Sequence, residues 1–317
     1  MSEFFLGVDG GQSSTTAVIG DASGRVIGYG RGGPCNHVKT GDGRAKFINA
    51  ITVCVGAACA QAGVSFETVA FRAACLGFSG GPADKDAILR ETLRADQMVV
   101  TNDGVIALAG ATAGAPGIIA IAGTGQIALG RNAEGRVARA GGWGYVFGDE
   151  GGGFDMTRQA LRAALRQHEG WGPRTVLHDV LLEATGSSDA NDLLHRFYPT
   201  DWPRPRIAGF SQLVDEAARG GDGIAMQILS GAAQAQAGYA LAVRAQLFSE
   251  GETAVVACAG GVWRSEIMRG RFQTLMELSG GVRVIEPAHG PAAGALLDAY
   301  RAAGWGNVAL RDVPPEK

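Results

Sequence analysis

One six-residue turn occurs twice in the chain, and this repetition limits the fold more than any other feature. Residues 21–26 (DASGRV) and 132–137 (NAEGRV) share Ala, Gly, Arg and Val at the same four positions. Each turn follows two short apolar runs that are separated by a glycine-containing break, and each precedes a third run. We interpret this as an internal duplication, in which two domains each open with a strand, a glycine loop and a second strand. Chance similarity between two common turns is the alternative.

The remaining pattern alternates between β-rich runs and helical periodicity, which predicts an α/β protein in which a meander feeds parallel strands. Predicted strands cover 4–8, 15–19, 25–29, 69–76, 98–101, 117–122, 126–130, 136–140, 254–258 and 282–285. Predicted helices start after a cap at Asp42 and near Val105, and cover 83–93, 154–168, 174–184, 207–218, 224–247 and 291–302. We expect one domain at 1–115, completed by the C-terminal helix at 291–317, and a second at 116–290 with a helical insertion.

Composition narrows the class of protein. The 317 residues are 46% hydrophobic and 19% charged, and the net charge of -3 comes with no basic cluster, which argues against nucleic-acid binding. The longest apolar run is too short to span a bilayer, so we expect no membrane partner. Five cysteines form no C-x-x-C pair, which indicates reduced thiols in a cytoplasmic protein. These are Cys35, Cys54, Cys59, Cys75 and Cys258.

Three glycine breaks directly follow apolar strands, where backbone N–H groups can form an anion nest and nearby hydroxyls can add donors. The candidate phosphate contacts are Gly10, Gly11, Gln12 and Ser13 in the first break, Gly123, Thr124 and Gly125 in the second, and Gly260 and Gly261 in the third. Each break alone is also compatible with a plain hairpin turn. Two breaks in duplicated positions favour a triphosphate held between the domains. The sequence contains neither a P-loop lysine motif nor a strand-linked G-x-G-x-x-G.

Two acidic residues lie at predicted strand ends. Asp9 precedes the first break and is a candidate Mg²⁺ ligand, since that ion prefers oxygen ligands and takes few from protein. Asp103 follows Asn102 before a helix, and is a candidate base for a hydroxyl proton in phosphoryl transfer. The alternatives are an Asx turn at Asp9 and a simple helix cap at Asn102 or Asp103.

The segment 141–153 (GGWGYVFGDEGGG) is rich in glycine but also carries three aromatic residues and an acid pair. We interpret it as an ordered loop that holds a polar ligand with one flat apolar face, such as a sugar, and keep a mobile linker as the alternative. Trp143 is expected to stack on the sugar or to anchor the loop to the core. Asp149 is a candidate for hydrogen bonds to sugar hydroxyls, whereas Glu150 is expected to hold the loop or cap the next helix. Asn36 is a further candidate sugar contact or a turn former.

These segments together resemble the N-acetylglucosamine kinase and glucosamine kinase group of the actin-like ATPase and sugar-kinase superfamily, within the BadF/BadG/BcrA/BcrD ATPase family. The resemblance implies two duplicated ribonuclease-H-like domains with an interdomain cleft. The matching segments are 7–13, 36–37, 76–81, 102–103, 123–125, 141–151, 208–210, 260–263 and 292–295. They follow the family order along nearly the whole chain, and GGWG followed by GDEG is the most specific.

The resemblance also implies roles for individual residues. Asp103 would be the catalytic base, Ser13 and Thr124 would touch the nucleotide phosphates, and Ala208 and Gly261 would lie near adenosine. The residues that would hold the amino sugar are Asn36, Trp143, Gly144 and Asp149. ATP, Mg²⁺ and a homodimeric state are expected. Gln126 departs from the serine that many members carry after Gly125, which would remove one hydrogen bond to the nucleotide.

The expected activity is ATP-dependent phosphorylation of N-acetylglucosamine or glucosamine to its 6-phosphate. One alternative is a kinase for another hexosamine, such as N-acetylmuramate. A second is an ATPase subunit that activates a reductase or dehydratase through a shared iron–sulfur cluster, which would need cysteine ligands near the cleft. A third is a non-catalytic sugar sensor, although such a protein would tend to lose the base.

Overall fold

A computed structural model describes residues 3–35, 38, 41–198, 202–306 and 308–315 of the chain. The chain divides into two compact units. Unit 1 comprises Met1–Gly117 together with Glu286–Lys317, and unit 2 comprises Ile118–Ile285. Asn36, one of the predicted sugar contacts, lies outside the described residues.

Each unit is built around a five-stranded mixed sheet. In unit 1 the strands are β1 (Phe4–Gly10), β2 (Thr15–Asp21), β3 (Val26–Gly32), β4 (Phe71–Phe78) and β5 (Ala95–Asn102). In unit 2 they are β6 (Gly117–Ala122), β7 (Gln126–Arg131), β8 (Val137–Gly141), β9 (Ala254–Ala259) and β10 (Val282–Ile285). The sheet orders are β3-β2-β1-β4-β5 and β10-β9-β6-β7-β8, so the two sheets have the same topology when β6 is matched to β1.

The repeated turn has the same hydrogen bonds in both units. In unit 1, the N–H of Asp21 donates to the Arg25 carbonyl, and in unit 2 the N–H of Asn132 donates to the Arg136 carbonyl, at 3.0 and 3.1 Å. The turn glycines have φ of +80° (Gly24) and +78° (Gly135), a region that favours glycine. Sheet order and turn geometry together confirm the predicted duplication.

The helices lie mainly in unit 2. Unit 1 contains α1 (Gly43–Gln61), α2 (Asp86–Thr92), α3 (Asp103–Ala111) and α11 (Pro291–Ala302). Unit 2 contains α4 (Gly153–His168), α5 (Leu177–Thr185), α6 (Ala190–Phe197), α7 (Arg204–Gly209), α8 (Ser211–Arg219), α9 (Gly223–Leu247), a short 3-10 helix at Gly261–Arg264 and α10 (Glu266–Ser279). Within the described residues, no helix is both long and apolar enough to cross a lipid bilayer.

The C-terminal helix α11 is part of the unit 1 core. A Cβ built on Gly7 of β1 would lie 2.3 Å from the backbone nitrogen of Leu296, so the glycine lets helix and strand backbones meet directly. Tyr300 of α11 is fully buried, packs against Phe5 in a tilted arrangement at 4.2 Å between ring centroids, and donates to the Asp21 carbonyl at 2.6 Å. The helix therefore fixes the first hairpin of unit 1 in place.

Several helices differ from the sequence prediction. The predicted helix at 207–218 is two helices, α7 and α8, that meet at Phe210. Two helices were not predicted, and each begins at a polar cap: the Asp189 side chain accepts from Asn191 and Asp192 before α6, and Ser265 accepts from Met268 before α10. Both follow glycine- or serine-rich segments and about half of the residues in each are polar, so neither stands out as an apolar run. Asp42 precedes α1 as predicted but its side chain makes no cap hydrogen bond.

Candidate functional site

In unit 1 the candidate residues lie at the carboxyl edge of the sheet. The parallel strands β1, β4 and β5 place Gly10 opposite Phe78, and Phe78 opposite Asn102. Two strand spacings, roughly 10 Å, therefore separate the end of β1 from the end of β5. The carboxyl edge of a parallel sheet is where α/β proteins bind ligands, and both acidic candidates, Asp9 and Asp103, lie there.

The side chains of Asn102 and Asp103 make different hydrogen bonds at the start of α3. The Asn102 side chain accepts a hydrogen bond from the Val105 N–H at 3.0 Å and caps α3. Asp103 is the first residue of the helix, and one carboxylate oxygen accepts from the Gly104 N–H at 2.9 Å. Both residues are exposed. The capping alternative thus applies to Asn102, and the Asp103 carboxylate is presented to solvent at the N-terminus of α3.

The first glycine break forms a tight loop held by backbone hydrogen bonds. The Gly11 N–H donates to the Ser14 carbonyl at 2.9 Å, while the carbonyls of Gly10 and Gly11 accept from Ser79 and Cys35 at 3.1 and 2.9 Å. Because these carbonyls are engaged on the protein side, the loop keeps one shape. The side chains of Gln12 and Ser13 are exposed, which is compatible with donation to a ligand.

The second glycine break in unit 2 rests on the N-terminus of α4. The Gly123 N–H donates to the Gly125 carbonyl at 2.9 Å, which closes the loop. The carbonyls of Gly123 and Thr124 accept from the N–H groups of Gly153 and Phe154 at 2.8 and 3.0 Å. A Cβ on Gly123 would meet nothing within 4 Å, so this face of the loop is open. Phosphate binding at such glycine loops uses backbone N–H groups.

Asp149 lies against this same loop. It is only 7% exposed, and its φ of +64° is unusual for a residue other than glycine. One carboxylate oxygen accepts from the Gln126 N–H at 3.3 Å, and a Cβ on Gly125 would lie 2.5 Å from the other. Strained backbone of this kind persists only where the surroundings enforce it. The structure therefore brings the predicted sugar contact and the predicted phosphate loop together.

Glu150, the neighbour of Asp149, holds the segment 141–153 to helix α9. Its carboxylate accepts a short hydrogen bond from the Tyr239 hydroxyl, and its carbonyl accepts from the Gln236 side chain at 3.4 Å. Burial and the adjacent Glu150 carboxylate raise the pKa of Tyr239, which keeps the phenol protonated as a donor. Glu150 thus holds the loop, one of the two roles expected from sequence. Tyr239 was not singled out, because its partner is distant in sequence.

Trp143 does not anchor the loop to the core. It is 66% exposed, and the Arg139 guanidinium lies 4.7 Å from the centroid of its ring. Phe147 and Val146 in the same segment are also exposed. Gly144, the neighbouring candidate, has a φ of +81°. The anchoring alternative is therefore wrong for Trp143, and its exposed ring is compatible with stacking on a ligand.

One of the remaining nucleotide candidates lies at a cavity of about 300 Å³ in unit 2. Gly261 lines this cavity, together with Ser211, Asp215, Arg264 and other residues. Ala208 is buried, with its carbonyl oxygen 3.0 Å from a Cβ built on Gly153, and Gly260 packs against the Ala122 carbonyl with a φ of +105°. Ser211 and Asp215 were not predicted, although Ser211 directly follows Phe210, the last residue of the matching segment 208–210.

The chain as a whole matches a known family. Residues 6–299 fit the BadF/BadG/BcrA/BcrD ATPase family. The chain belongs to this family. A Clostridium acetobutylicum protein named N-acetylmuramic acid/N-acetylglucosamine kinase is 31% identical over 302 residues, covering 93% of this chain and 97% of that protein. The N-acetyl-D-glucosamine kinase of Dictyostelium discoideum is 32% identical over 256 residues, covering 74% of this chain and 76% of that enzyme.

Solved structures agree on the fold. A proposed N-acetylglucosamine kinase from Chromobacterium violaceum superposes with a TM-score of 0.72 and 26% identity, covering 93% of this chain and 98% of that one. A Streptomyces griseus glucokinase of the ROK family gives a TM-score of 0.56 at 20% identity, covering 95% and 99% of the two chains. The α/β fold with duplicated sheets is thus that of the actin-like ATPase and sugar-kinase superfamily, as predicted.

The carboxylate of Asp9 is suited to bind Mg²⁺ as a single protein ligand. Among the described residues, no group of three His, Cys, Asp or Glu side chains could enclose a metal ion. Mg²⁺ beside nucleotide phosphates usually takes one or two carboxylates and completes its shell with water and phosphate oxygens. Asp9, half-buried at the end of β1, fits that mode as a single ligand.

Proposed function

We propose that this chain is an ATP-dependent kinase that phosphorylates the 6-hydroxyl of an amino sugar, with N-acetylglucosamine as the first choice and glucosamine as the second. Family membership and the names of both curated relatives support this. The proposal also includes a homodimeric state and a cytoplasmic location, which rest on the sequence alone.

The observation that carries the proposal is the division of tasks at the start of α3. Asn102 caps the helix, so the exposed Asp103 carboxylate is not needed for that purpose. It can accept the proton of the sugar hydroxyl while the hydroxyl oxygen forms a bond to the γ-phosphorus and the bond to the ADP oxygen breaks. Asp9 would hold Mg²⁺, which neutralises charge on the phosphates when bound.

The other residues bind and orient. Gly10, Gly11, Gln12 and Ser13 in unit 1 and Gly123, Thr124 and Gly125 in unit 2 are proposed to contact phosphate oxygens. Ala208, Gly260 and Gly261 are proposed to lie beside adenosine, in agreement with the cavity that Gly261 lines. Asn36, Trp143, Gly144 and Asp149 are proposed to bind the sugar. The buried Asp149 carboxylate would have to exchange or share its Gln126 contact for a sugar hydroxyl.

N-acetylmuramate is a second candidate substrate, because the Clostridium acetobutylicum relative carries that sugar in its name. The reductase-activating alternative is less well supported. Cys35, Cys54, Cys59 and Cys75 are buried, whereas an iron–sulfur cluster shared with a second protein would need accessible cysteine ligands.

A sugar panel tests the proposal. ADP release is measured with ATP and Mg²⁺ in the presence of N-acetylglucosamine, glucosamine, N-acetylmuramate or no sugar, and the phosphorylated product is located by NMR. We expect N-acetylglucosamine to give the highest kcat/KM and a 6-phosphate product. A preference for N-acetylmuramate would assign the second candidate. ATP hydrolysis that is equally fast without sugar would reject the kinase assignment.

A further inference from the structure

A second large cavity in unit 2 is not used by the proposed reaction. It is a groove of about 680 Å³ between helices α4 and α9, a volume typical of small-molecule sites. Its polar lining includes Glu150, Asp155, Gln159, Arg162, Arg166 and Gln227. The lining residues of α4 run from Asp155 to Arg166, a distance of about 16 Å at the rise of an α-helix.

Small residues create this groove. Gly231 and Ala235 of α9 and Ala163 of α4 line it, so no large side chain fills the space between the two helices. At one end the backbones touch, because a Cβ on Gly151 would lie 2.7 Å from the Ala232 carbonyl oxygen. Ile224 and Ile228 supply an apolar wall. The groove is thus open along its length and closed at the Gly151 end.

The acidic side chains in the groove already accept hydrogen bonds from other protein groups. Asp155 is buried, and its carboxylate accepts from the Arg158 guanidinium at 2.7 Å, the Gln159 amide at 2.8 Å and the Gly151 N–H at 3.1 Å. Glu150 accepts from Tyr239. The carboxylates at this end therefore already have donors, and a cationic ligand would gain little from them.

The end of the groove away from Gly151 carries two arginines. Arg162 and Arg166 are exposed residues one turn apart on α4, and neither has a carboxylate within ion-pair distance in the described part of the chain. Arg166 lies 4.9 Å from the centroid of the Trp171 ring, which orients its guanidinium. Like charges at this spacing repel each other on a helix, and an anion between them would relieve the repulsion.

We propose that the groove is a second ligand site that binds a phosphate monoester, such as a sugar phosphate. Its phosphate would lie on Arg162 and Arg166, since guanidinium groups bind phosphate through paired hydrogen bonds. Its polar body would extend along Gln159 and Gln227. A ligand long enough to reach Glu150 and Gly151 would touch the segment that carries Asp149, which gives the site a direct route to the proposed sugar loop.

Fluorescence of Trp171 reports binding, because its ring stacks with Arg166. N-acetylglucosamine 6-phosphate, inorganic phosphate and unphosphorylated N-acetylglucosamine are titrated at low ionic strength. Saturating N-acetylglucosamine and ADP are present in the first two titrations, so that the proposed catalytic site stays filled. The Trp171→Phe variant supplies the signal of the other tryptophans. No turnover is measured, so the outcome does not depend on the proposed reaction.

We expect both phosphates to bind, and the sugar phosphate to bind more tightly than inorganic phosphate because its sugar contacts Gln159 and Gln227. Arg162→Ala/Arg166→Ala should weaken binding at least tenfold, because the charge-assisted hydrogen bonds to the phosphate would be lost. Arg271→Ala/Arg283→Ala, a charge-matched pair of exposed arginines elsewhere in unit 2, should change it less than twofold. Equal loss in both double variants, unchanged affinity without the groove arginines, or equally tight binding of the unphosphorylated sugar would overturn the proposal.

Discussion

The two units share a sheet topology but support their first glycine loops in different ways. In unit 1, the carbonyls of Gly10 and Gly11 accept from the backbones of Ser79 and Cys35, which belong to other loops. In unit 2, the corresponding carbonyls of Gly123 and Thr124 accept from the first N–H groups of a 16-residue helix. Duplication therefore preserved the loop and changed its support.

This difference follows from what lies between the third and fourth strands. Among the described residues, unit 1 has a single helix there, α1, whereas unit 2 has the glycine-rich segment 141–153 and six helices. The inserted segment packs Asp149 against Gly125, and the first N–H groups of α4 donate hydrogen bonds to the carbonyls of the loop. The unit 2 loop is thus packed on both sides, while unit 1 presents the exposed carboxylate of Asp103. We therefore expect substitution of Asp103 in unit 1 to lower kcat, and substitution of Gly125 in unit 2 to change stability and KM.

The largest expected effect is in unit 1. Asp103→Asn should lower kcat by about 10²–10⁴-fold, because a positioned base typically contributes that much. Since Asp103 is exposed and Asn102 supplies the cap, the melting temperature should stay close to that of the wild type. Asp96→Asn, on the strand β5 that precedes Asp103 and with a largely exposed ion pair to Arg72, is the matched control. Near-normal turnover of Asp103→Asn in an ADP-release assay would remove the catalytic role.

The next effect concerns the packed loop of unit 2. A Cβ on Gly125 would lie 2.5 Å from an Asp149 carboxylate oxygen, whereas a Cβ on Gly123 would meet nothing within 4 Å. Gly125→Ala should cost about 1–3 kcal/mol in the free energy of unfolding, as overpacking does, and should raise KM for the sugar by displacing Asp149. Gly123→Ala should stay within about 0.5 kcal/mol. Urea unfolding and steady-state kinetics measure both, and equal effects of the two variants would contradict the packing argument.

The sequence predicts the local features of both units well, for a physical reason. The strand ends, the glycine breaks and the repeated turn are set by neighbouring residues, and a turn such as 132–137 needs its glycine wherever it occurs. Contacts between distant segments leave no local pattern. The hydrogen bond from Tyr239 to Glu150 spans 89 residues, and the burial of Asp149 depends on loop and helix together. Helices α6 and α10 were missed because about half of their residues are polar, and their stability comes in part from caps and packing.

A smaller effect compares the two copies of the repeated turn. Asn132 is 6% exposed, accepts from the Arg136 N–H at 2.9 Å and donates to the Leu247 carbonyl at 3.3 Å. Asp21 accepts from the Arg25 N–H at 3.1 Å in a more exposed turn. Asn132→Ala should cost about 1–3 kcal/mol, because it leaves buried groups unpaired, and Asp21→Ala about 0.5–1.5 kcal/mol. Denaturant unfolding checks the order, and the reverse order would show that burial does not distinguish the turns.

The last prediction concerns how the free energy of unfolding depends on pH, and its cause lies in unit 1. Burial raises the pKa of Cys54 from 9.0 to about 12 and that of Cys59 from 9.0 to about 11, and both thiols belong to α1. Their unfolded forms release protons near pH 9 while the folded forms retain them. The folded state therefore binds more protons above that pH, and the free energy of unfolding should fall as pH rises from 9. Urea unfolding at pH 8 and at about pH 10.5 should show a shallower fall for Cys54→Ala than for the wild type. Ionisation of lysines and tyrosines affects both proteins alike. An identical fall in the free energy of unfolding of the two proteins would therefore mean that the buried Cys54 thiol does not lower the stability of unit 1 at alkaline pH.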